Sequence, residues 1–396
     1  MATRFATGAS NGDNSFNVGK EAALAAFSGL NGAKPSLAII FCSSNYDYKE
    51  VLSGIREITK ETPLVGCSSA GAFTEKGVAE KSVVVGLISS DIYKVYTGLG
   101  KGLRESPAKA VEDALNGIPT AVAEFPHISA IILQDGLAGK GEETSLLTAA
   151  TFGQEAHLFG GAAGDELALK STTVMCDGDF AEDAVSICVI HSKKPLLGGV
   201  KHGHVAISKD FKVTKSEGSV LQEVDGRPAW DVWIDATRER AKEVGIDVDN
   251  IPAEDVGTFL IRYELGLNVD EGIKVRAPLG KNDDGSLNFV CQIPEGAVFR
   301  VLESTKEGQI EAARQAAVNA KSAIGKDEKL AGALIFDCVC RGIILGDEFC
   351  KGLEAIGSEL GGVPFAGFET YGEIAMSPKA FSGFHNTTTV VMLLPE

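Results

Sequence analysis

The sequence predicts an α/β fold of two domains, with mixed β-sheets flanked by helices and built from repeated strand-helix-strand-strand units. Three observations predict it. Apolar runs of strand length alternate with segments of helical period. The same order of elements recurs three times along the 396 residues. Before the third recurrence lies a stretch of short alternating runs, which reads as antiparallel strands.

The first unit opens with LAIIFCSS (37–44), an apolar run ending in small polar residues. YDYKEVLSGIREITKE follows at helical spacing, then PLVGCSSAGAF (63–73) and the strand-like SVVVGLI (82–88). The second opens with ISAIILQDG (128–136), passes through the helical EETSLLTAATFGQEA, and continues with HLFGGAAGDEL (157–167) and AVSICVI (184–190). The third runs GALIFDCVCRG (332–342), DEFCKGLEAIGSEL, VPFAGFETYGEI (363–374) and NTTTVVMLL (386–394). Each unit is therefore a strand, a helix, a short strand entering a Gly-rich turn, a loop and a long strand.

The stretch from 196 to 330 differs. HVAISKDFKVTKSEG, SVLQEVDGRPAW, TFLIRYELGL, LNFVCQI and AVFRVLES are short alternating runs, and Asp-Gly at 225–226 and 284–285 marks hairpin turns. RPAWDVWIDATRERAKEVG reads as a helix with Pro228 in its first turn. EGQIEAARQAAVNAKSAIG reads as a helix leading into the third unit. A boundary near SKKPLLGG gives domains of 1–197 and 198–396.

Composition narrows the function. Apolar residues make up 44% of the chain, enough for a full core, and the net charge is -17 without a basic stripe. Phosphate neutralisation needs clustered Lys and Arg, so nucleic acid is not an expected partner. No apolar run approaches the roughly 20 residues of a membrane span. The N-terminal stretch carries no secretory apolar core, so a cytoplasmic location is expected. The eight cysteines form no CxxC pair. A disulfide framework is not expected in so long a cytosolic chain, nor is a zinc site at Cys338 and Cys340 without a second pair.

Each Gly-rich turn ends a strand in glycine and small residues. That allows positive φ and close backbone approach, and exposed N–H groups in such a bend hold anions. The alternative is a tight bend that lets a helix pack on the sheet. Three copies with different polar sets point to a shared pocket. Its expected lining is Gly66, Cys67, Ser68 and Ser69 from the first turn, Gly160, Gly161 and Asp165 from the second, and Tyr371 and Glu373 from the third, with Asp135 and Asn386 beside them. Arg341 is the natural partner for a ligand carboxylate, because guanidinium binds bidentately. The competing role for Arg341 is an internal salt bridge. His202 and His204 share one face of an extended strand and could ligate a metal or haem iron, against the plainer reading of a polar strand start. A nucleophile at Cys67 lacks a neighbouring His in sequence, and no P-loop or G-x-S-x-G elbow is present.

FCSSNYDYKEVL with PLVGCSSAG resembles the opening of the FIST N-terminal domain, and GGAAGDEL after IILQDG is similar to its later part. VTKSEGSVLQEVDGRPAWDVW, IKVRAPLGKNDDGSLNFVCQIPEGAVFRV, FDCVCR and GFETYGEI with GFHNTTTVV resemble the C-terminal partner domain. The resemblance spans about residues 20 to 395. It implies a prokaryotic sensory module rather than an enzyme, binding a small polar ligand such as an amino acid or carboxylate. Signalling would proceed by docking to a separate partner such as a histidine kinase. Two other readings stay open: a haem-based nitric oxide sensor, with His202, His204 and His385 as iron-ligand candidates, and an enzyme of unknown chemistry. The C-terminal motif here reads YGEI followed by FHNTTT. The haem-binding relatives carry YGEQ, a histidine and NQTF.

Overall fold

The computed structural model describes residues 3–79, 81–269, 272–325, 328–380 and 382–396. The first unit comprises β1 (Arg4–Asn11), α1 (Ser15–Gly29), β2 (Leu37–Ser43), α2 (Tyr48–Thr59), β3 (Leu64–Ser69), a hairpin of β4 (Ala72–Thr74) and β5 (Gly77–Ala79), and β6 (Ser82–Ser89). The second comprises β7 (Tyr93–Lys101), α3 (Pro107–Leu115), β8 (His127–Gln134), α4 (Gly141–Thr151), β9 (His157–Ala162), a hairpin of β10 (Val174–Cys176) and β11 (Asp179–Ala181), and β12 (Ala184–Ser192).

The third unit begins with β13 (Gly198–His202) and is then interrupted. The insertion holds β14 (His204–Ala206), β15 (Phe211–Glu217), β16 (Val220–Val224), β17 (Arg227–Pro228), α5 (Ala229–Glu243), α6 (Val256–Arg262), β18 (Tyr263–Val269), β19 (Gly272–Arg276), β20 (Pro278–Lys281), β21 (Leu287–Phe289) and β22 (Val298–Ser304). The unit resumes with α7 (Lys306–Ala323), β23 (Leu330–Cys338), α8 (Val339–Leu345), α9 (Phe349–Leu360), β24 (Phe365–Thr370), a hairpin of β25 (Glu373–Met376) and β26 (Phe384–His385), and β27 (Thr388–Pro395).

The three units exchange their hairpins in a ring. The first sheet has the order β1-β6-β2-β3-β10-β11, the second β7-β12-β8-β9-β25-β26, and the third β13-β27-β23-β24-β4-β5. Each unit supplies four strands to its own sheet and lends its hairpin to another unit's. In every sheet the pair of strands joined through a helix is parallel and the remaining pairs are antiparallel. Short strands of three residues are marginal alone. Docked on a neighbouring sheet, each hairpin gains a full ladder partner and covers an otherwise open edge. The expected junction at 197/198 falls between β12 and β13, and the pairings β4 with β24 and β9 with β25 run across it.

The inner faces of the three sheets share one core. Phe41 of the first stacks on Phe368 of the third with ring centroids 4.5 Å apart, and Ile131, Phe159 and Cys188 come from the second. The outer faces carry the helices. Val18, Ala22 and Ala26 of α1 and Val51 and Ile55 of α2 pack on the first sheet. The α3–α4 pair and the α7–α9 pair do the same on the second and third. Asp47 starts α2 by accepting from the N–H groups of Lys49 and Glu50, two donors that a helix leaves unpaired at its first turn.

The insertion is antiparallel throughout, as the alternating runs predict. It has its own core, centred on Trp233, Phe259, Leu265 and Phe299. Pro228 precedes α5 as its cap residue in extended backbone, one position earlier than expected.

Candidate functional site

The three Gly-rich turns meet. Ala70 N–H donates to the Glu369 carbonyl at 3.1 Å, and Glu369 N–H donates to Gly71 at 2.7 Å. Gly164 N–H reaches the Ser68 carbonyl at 3.1 Å, while Ala162 N–H donates to Gly372 at 2.8 Å and Tyr371 N–H to Ala162 at 3.0 Å. A Cβ on Gly164 would lie 2.6 Å from the Ala70 nitrogen, so glycine is what permits this approach.

The polar side chains expected to face a ligand are turned on one another. Asp165 accepts from the N–H groups of Leu169, Lys170 and Ser171 and from the Tyr371 hydroxyl at 2.5 Å. Burial raises its pKa, but those donors outweigh burial and hold the carboxyl below its ordinary value. Asp135 accepts from Arg104 at 2.9 Å, Thr172 at 2.5 Å and two backbone N–H groups. Arg341 is fully buried; its Nε donates to Asp337 at 2.7 Å and its Nη1 to the backbone and side-chain oxygens of Gln309. Thr389 fills the other Asp337 oxygen at 2.8 Å. The internal salt bridge is therefore the role Arg341 plays here.

Glu373 is also fully buried, accepting from Thr370 at 2.5 Å and from the Thr388 N–H and hydroxyl at 3.0 and 2.7 Å. Burial pushes its carboxyl up to about 8 against those bonds. Asn386 donates to the His385 carbonyl and accepts from Ala277 N–H and the Cys291 thiol. Gly66 faces Ile40 across the β2–β3 pair, and Gly160 lies over the Ile132 carbonyl. Ser68 accepts from Thr173 N–H, and Ser69 donates to the Cys42 carbonyl. Cys67 sits in the common core, where burial raises its pKa well above that of a free thiol.

One carboxylate in this knot escaped the sequence reading although it lies in GFETYGEI. Glu369 rests against Gly71 and Gly342. Burial first, then the Asp337 charge, pushes it up to about 7 despite Arg341.

The three histidines gather at the seam between the insertion and the hairpin β25–β26. His202 and His204 have ring centroids 5.9 Å apart, and His204 Nε2 lies 3.2 Å from a Glu264 oxygen with both side chains fully buried. His385 donates Nε2 to the Ala375 carbonyl at 2.9 Å. Burial drives His202 down to about 4 and His385 to about 3, so both imidazoles are neutral at physiological pH. His385 borders a cavity of about 370 Å³ whose polar lining is Ser377, Lys379 and Ser382. Among the described residues, no group of three or more His, Cys, Asp or Glu is arranged to hold a metal ion.

A second, more apolar space lies on another part of the seam, between the insertion and helices α7 and α8. A cavity of about 470 Å³ is lined by Ile246, Ile251, Phe259, Ile343 and Ile344, with Asp247, Asp255, Arg262 and Lys306 among the remaining residues. Ser304 is also in its wall and accepts from the Gln309 amide at 2.6 Å, which ties the cavity to the Arg341–Asp337 pair. Sequence reasoning missed it because the lining comes from segments around 245–262, 304–306 and 343–344, each an ordinary loop or helix end.

The architecture is a three-sheet ring with an inserted layer, with one cavity at the seam and another of about 620 Å³ between the β4–β5 hairpin and α9. The FIST N domain matches residues 36–227 and the FIST C domain residues 236–376, so the chain belongs to the FIST family of sensory domains. It is also 23% identical over 287 residues to an uncharacterized protein of Methanocaldococcus jannaschii, a stretch covering 69% of this chain and 55% of that protein. The chain thus spans about half the length of that relative. No helix among the described residues is long and apolar enough to cross a membrane.

Proposed function

We propose that the chain senses a small zwitterion, an amino acid with an apolar side chain, in the seam cavity, and signals by docking to a separate protein such as a histidine kinase. One observation carries this reading: the cavity combines an apolar lining from Ile246, Ile251, Phe259, Ile343 and Ile344 with charges of both signs. Its volume lies within the usual range of small-molecule sites, about 300–1,000 Å³, and such sites favour interdomain seams. Lys306 and Arg262, which pair with Glu348 at 3.2 Å and Glu303 at 3.0 Å, would take a ligand carboxylate by exchange with those partners. Asp255 and Asp247 suit an ammonium, and the isoleucines a hydrocarbon side chain. The family supports the sensory role, and the cavity supports the ligand class.

The test is isothermal titration and thermal shift with leucine, isoleucine and phenylalanine, with succinate and haem as separate arms. Ligand at 100 times its dissociation constant should stabilise the native chain by about 2.7 kcal/mol. Asp255→Asn and Lys306→Gln should each weaken amino-acid binding. Titrations silent for all three amino acids would sink the reading. A Soret band with added haem that is lost in His385→Ala would favour gas sensing instead.

A further inference from the structure

Donor groups gather at the carboxyl ends of β2 and β3, where they hold a carboxylate of the chain itself. Ser43 closes β2 opposite Ser69 of β3, in the chain's first parallel pair. Ligands in α/β folds bind in the crevice outside such strand ends. Here two hydroxyls and a backbone N–H converge on one carboxylate. Ser43 Oγ donates to Glu166 Oε1 at 2.5 Å, Ser44 N–H reaches the same oxygen at 3.0 Å, and Ser44 Oγ donates to Oε2. Asn45 donates to Ser43 Oγ at 3.1 Å, leaving the serine proton for Glu166.

The corresponding strand ends of the other units hold carboxylates of their own, Asp135 after β8 and Asp337 near the end of β23, each with internal partners. In the first unit the loop offers donors, and the acid comes from the second unit's turn.

The tether of that acid is strained. Glu166, Leu167 and Leu169 all have left-handed backbone, at φ 49°, 64° and 52°. Such non-glycine residues persist only where their surroundings impose them, and they gather at ligand clamps and switch segments. Burial does not impose this conformation, because Leu167 and Leu169 are 47% and 59% exposed. What holds the segment is polar: Glu166 in the serine loop, and Asp165 with Tyr371 beside it.

We propose that the Ser43–Ser44 loop is an anion-binding site whose internal occupant, Glu166, is displaced by a small ligand bearing a carboxylate or phosphate. Displacement removes one of the two polar holds on the strained 166–169 segment, the other being the bonds of Asp165 and Tyr371 to the Leu167, Leu169 and Lys170 N–H groups. This site shares no lining residue with the seam cavity, so either proposal can fail alone.

The experiment titrates the full chain and its Glu166→Ala variant with potassium phosphate and, separately, sodium succinate. An internal competitor lowers apparent affinity by the fraction of time it vacates the site. Glu166→Ala should therefore bind one anion per chain about tenfold more tightly than the wild type. Ser44→Ala in that background should abolish the gain, and the tighter probe distinguishes phosphate from carboxylate ligands. A folded Glu166→Ala chain that binds neither probe better than the wild type overturns the proposal. Should that variant fail to fold, tryptic cleavage of the wild type after the exposed Lys170 decides. Faster cleavage in saturating phosphate or succinate than in chloride of equal ionic strength supports displacement, and an unchanged rate refutes it.

Discussion

Replacing Glu373 with glutamine should change the pH dependence of stability more than stability itself. Burial lifts this carboxyl from an ordinary 4.5 to about 8, against the bonds from Thr370 and Thr388. A group whose folded pKa exceeds its unfolded one retains its proton in the native state. Its contribution is complete below pH 4.5 and is lost as pH rises through about 8. At about 1.4 kcal/mol per pKa unit, the gap amounts to roughly 5 kcal/mol. Glutamine is a permanent neutral substitute whose carbonyl can still accept from Thr388. Urea unfolding followed by far-UV circular dichroism at pH 5, 7 and 9 measures the effect. The variant should match the wild type within about 1 kcal/mol at pH 5 and exceed it by about 5 kcal/mol at pH 9. Glu369 titrates in both proteins and drops out of the difference. A variant destabilised equally at both pH values would show that Glu373 is ionised throughout and held by charge-assisted bonds from the two threonines.

Two further substitutions probe the knot of turns. Arg341→Met strands Asp337 as a buried charge and should destabilise by about 3–5 kcal/mol, while adding Asp337→Leu should recover most of that loss. Equal urea midpoints for the wild type and Arg341→Met would refute the pairing. Gly160→Ala places a Cβ 1.9 Å from the Ile132 carbonyl oxygen at a φ of 141°, and it should cost about 3 kcal/mol in the same assay. A loss below about 1 kcal/mol would mean that the β8–β9 pair relaxes freely.

The repeated units, the inserted antiparallel layer and its hairpins were legible because each is written locally. Asp225 and Gly226 have φ of 50° and 76°, the left-handed pair a tight hairpin turn demands. Helix α1 was missed because its buried face is Val18, Gly19, Ala22, Ala23 and Ala26, too weakly apolar to stand out as a period. The hairpin exchange was illegible for another reason. Ala72–Thr74 pairs with Ala366–Phe368, and nothing in a three-residue strand names an edge about three-quarters of the chain length away. At the site, the convergence of the turns could be read from their shared pattern. Whether their polar groups face a ligand or each other depends on side-chain distances, and the residues lining the seam cavity carry no local mark.

The ring and the insertion divide the work. In the first two units, short connections lead from β1 to α1 and from β7 to α3, and the insertion occupies the same connection in the third. The inserted layer therefore leaves and rejoins the ring at one place, between β13 and α7, with its own core. The three exchanged hairpins brace the sheets against one another. The proposed seam ligand would touch the inserted layer on one side and α7 and α8 on the other, without reaching the strand ladders of the ring. It can bias the placement of the layer only by contacts that differ between two positions. The chain Ser304–Gln309–Arg341–Asp337 links the insertion to the ring across this seam. Ser304 ends the last strand of the insertion, Gln309 lies in α7, and Arg341 reaches back from α8 to the end of β23. Ser304→Ala would leave the buried Gln309 amide without this partner and should cost about 1–3 kcal/mol in urea unfolding, an unchanged midpoint showing that the bond does not couple the insertion to α7.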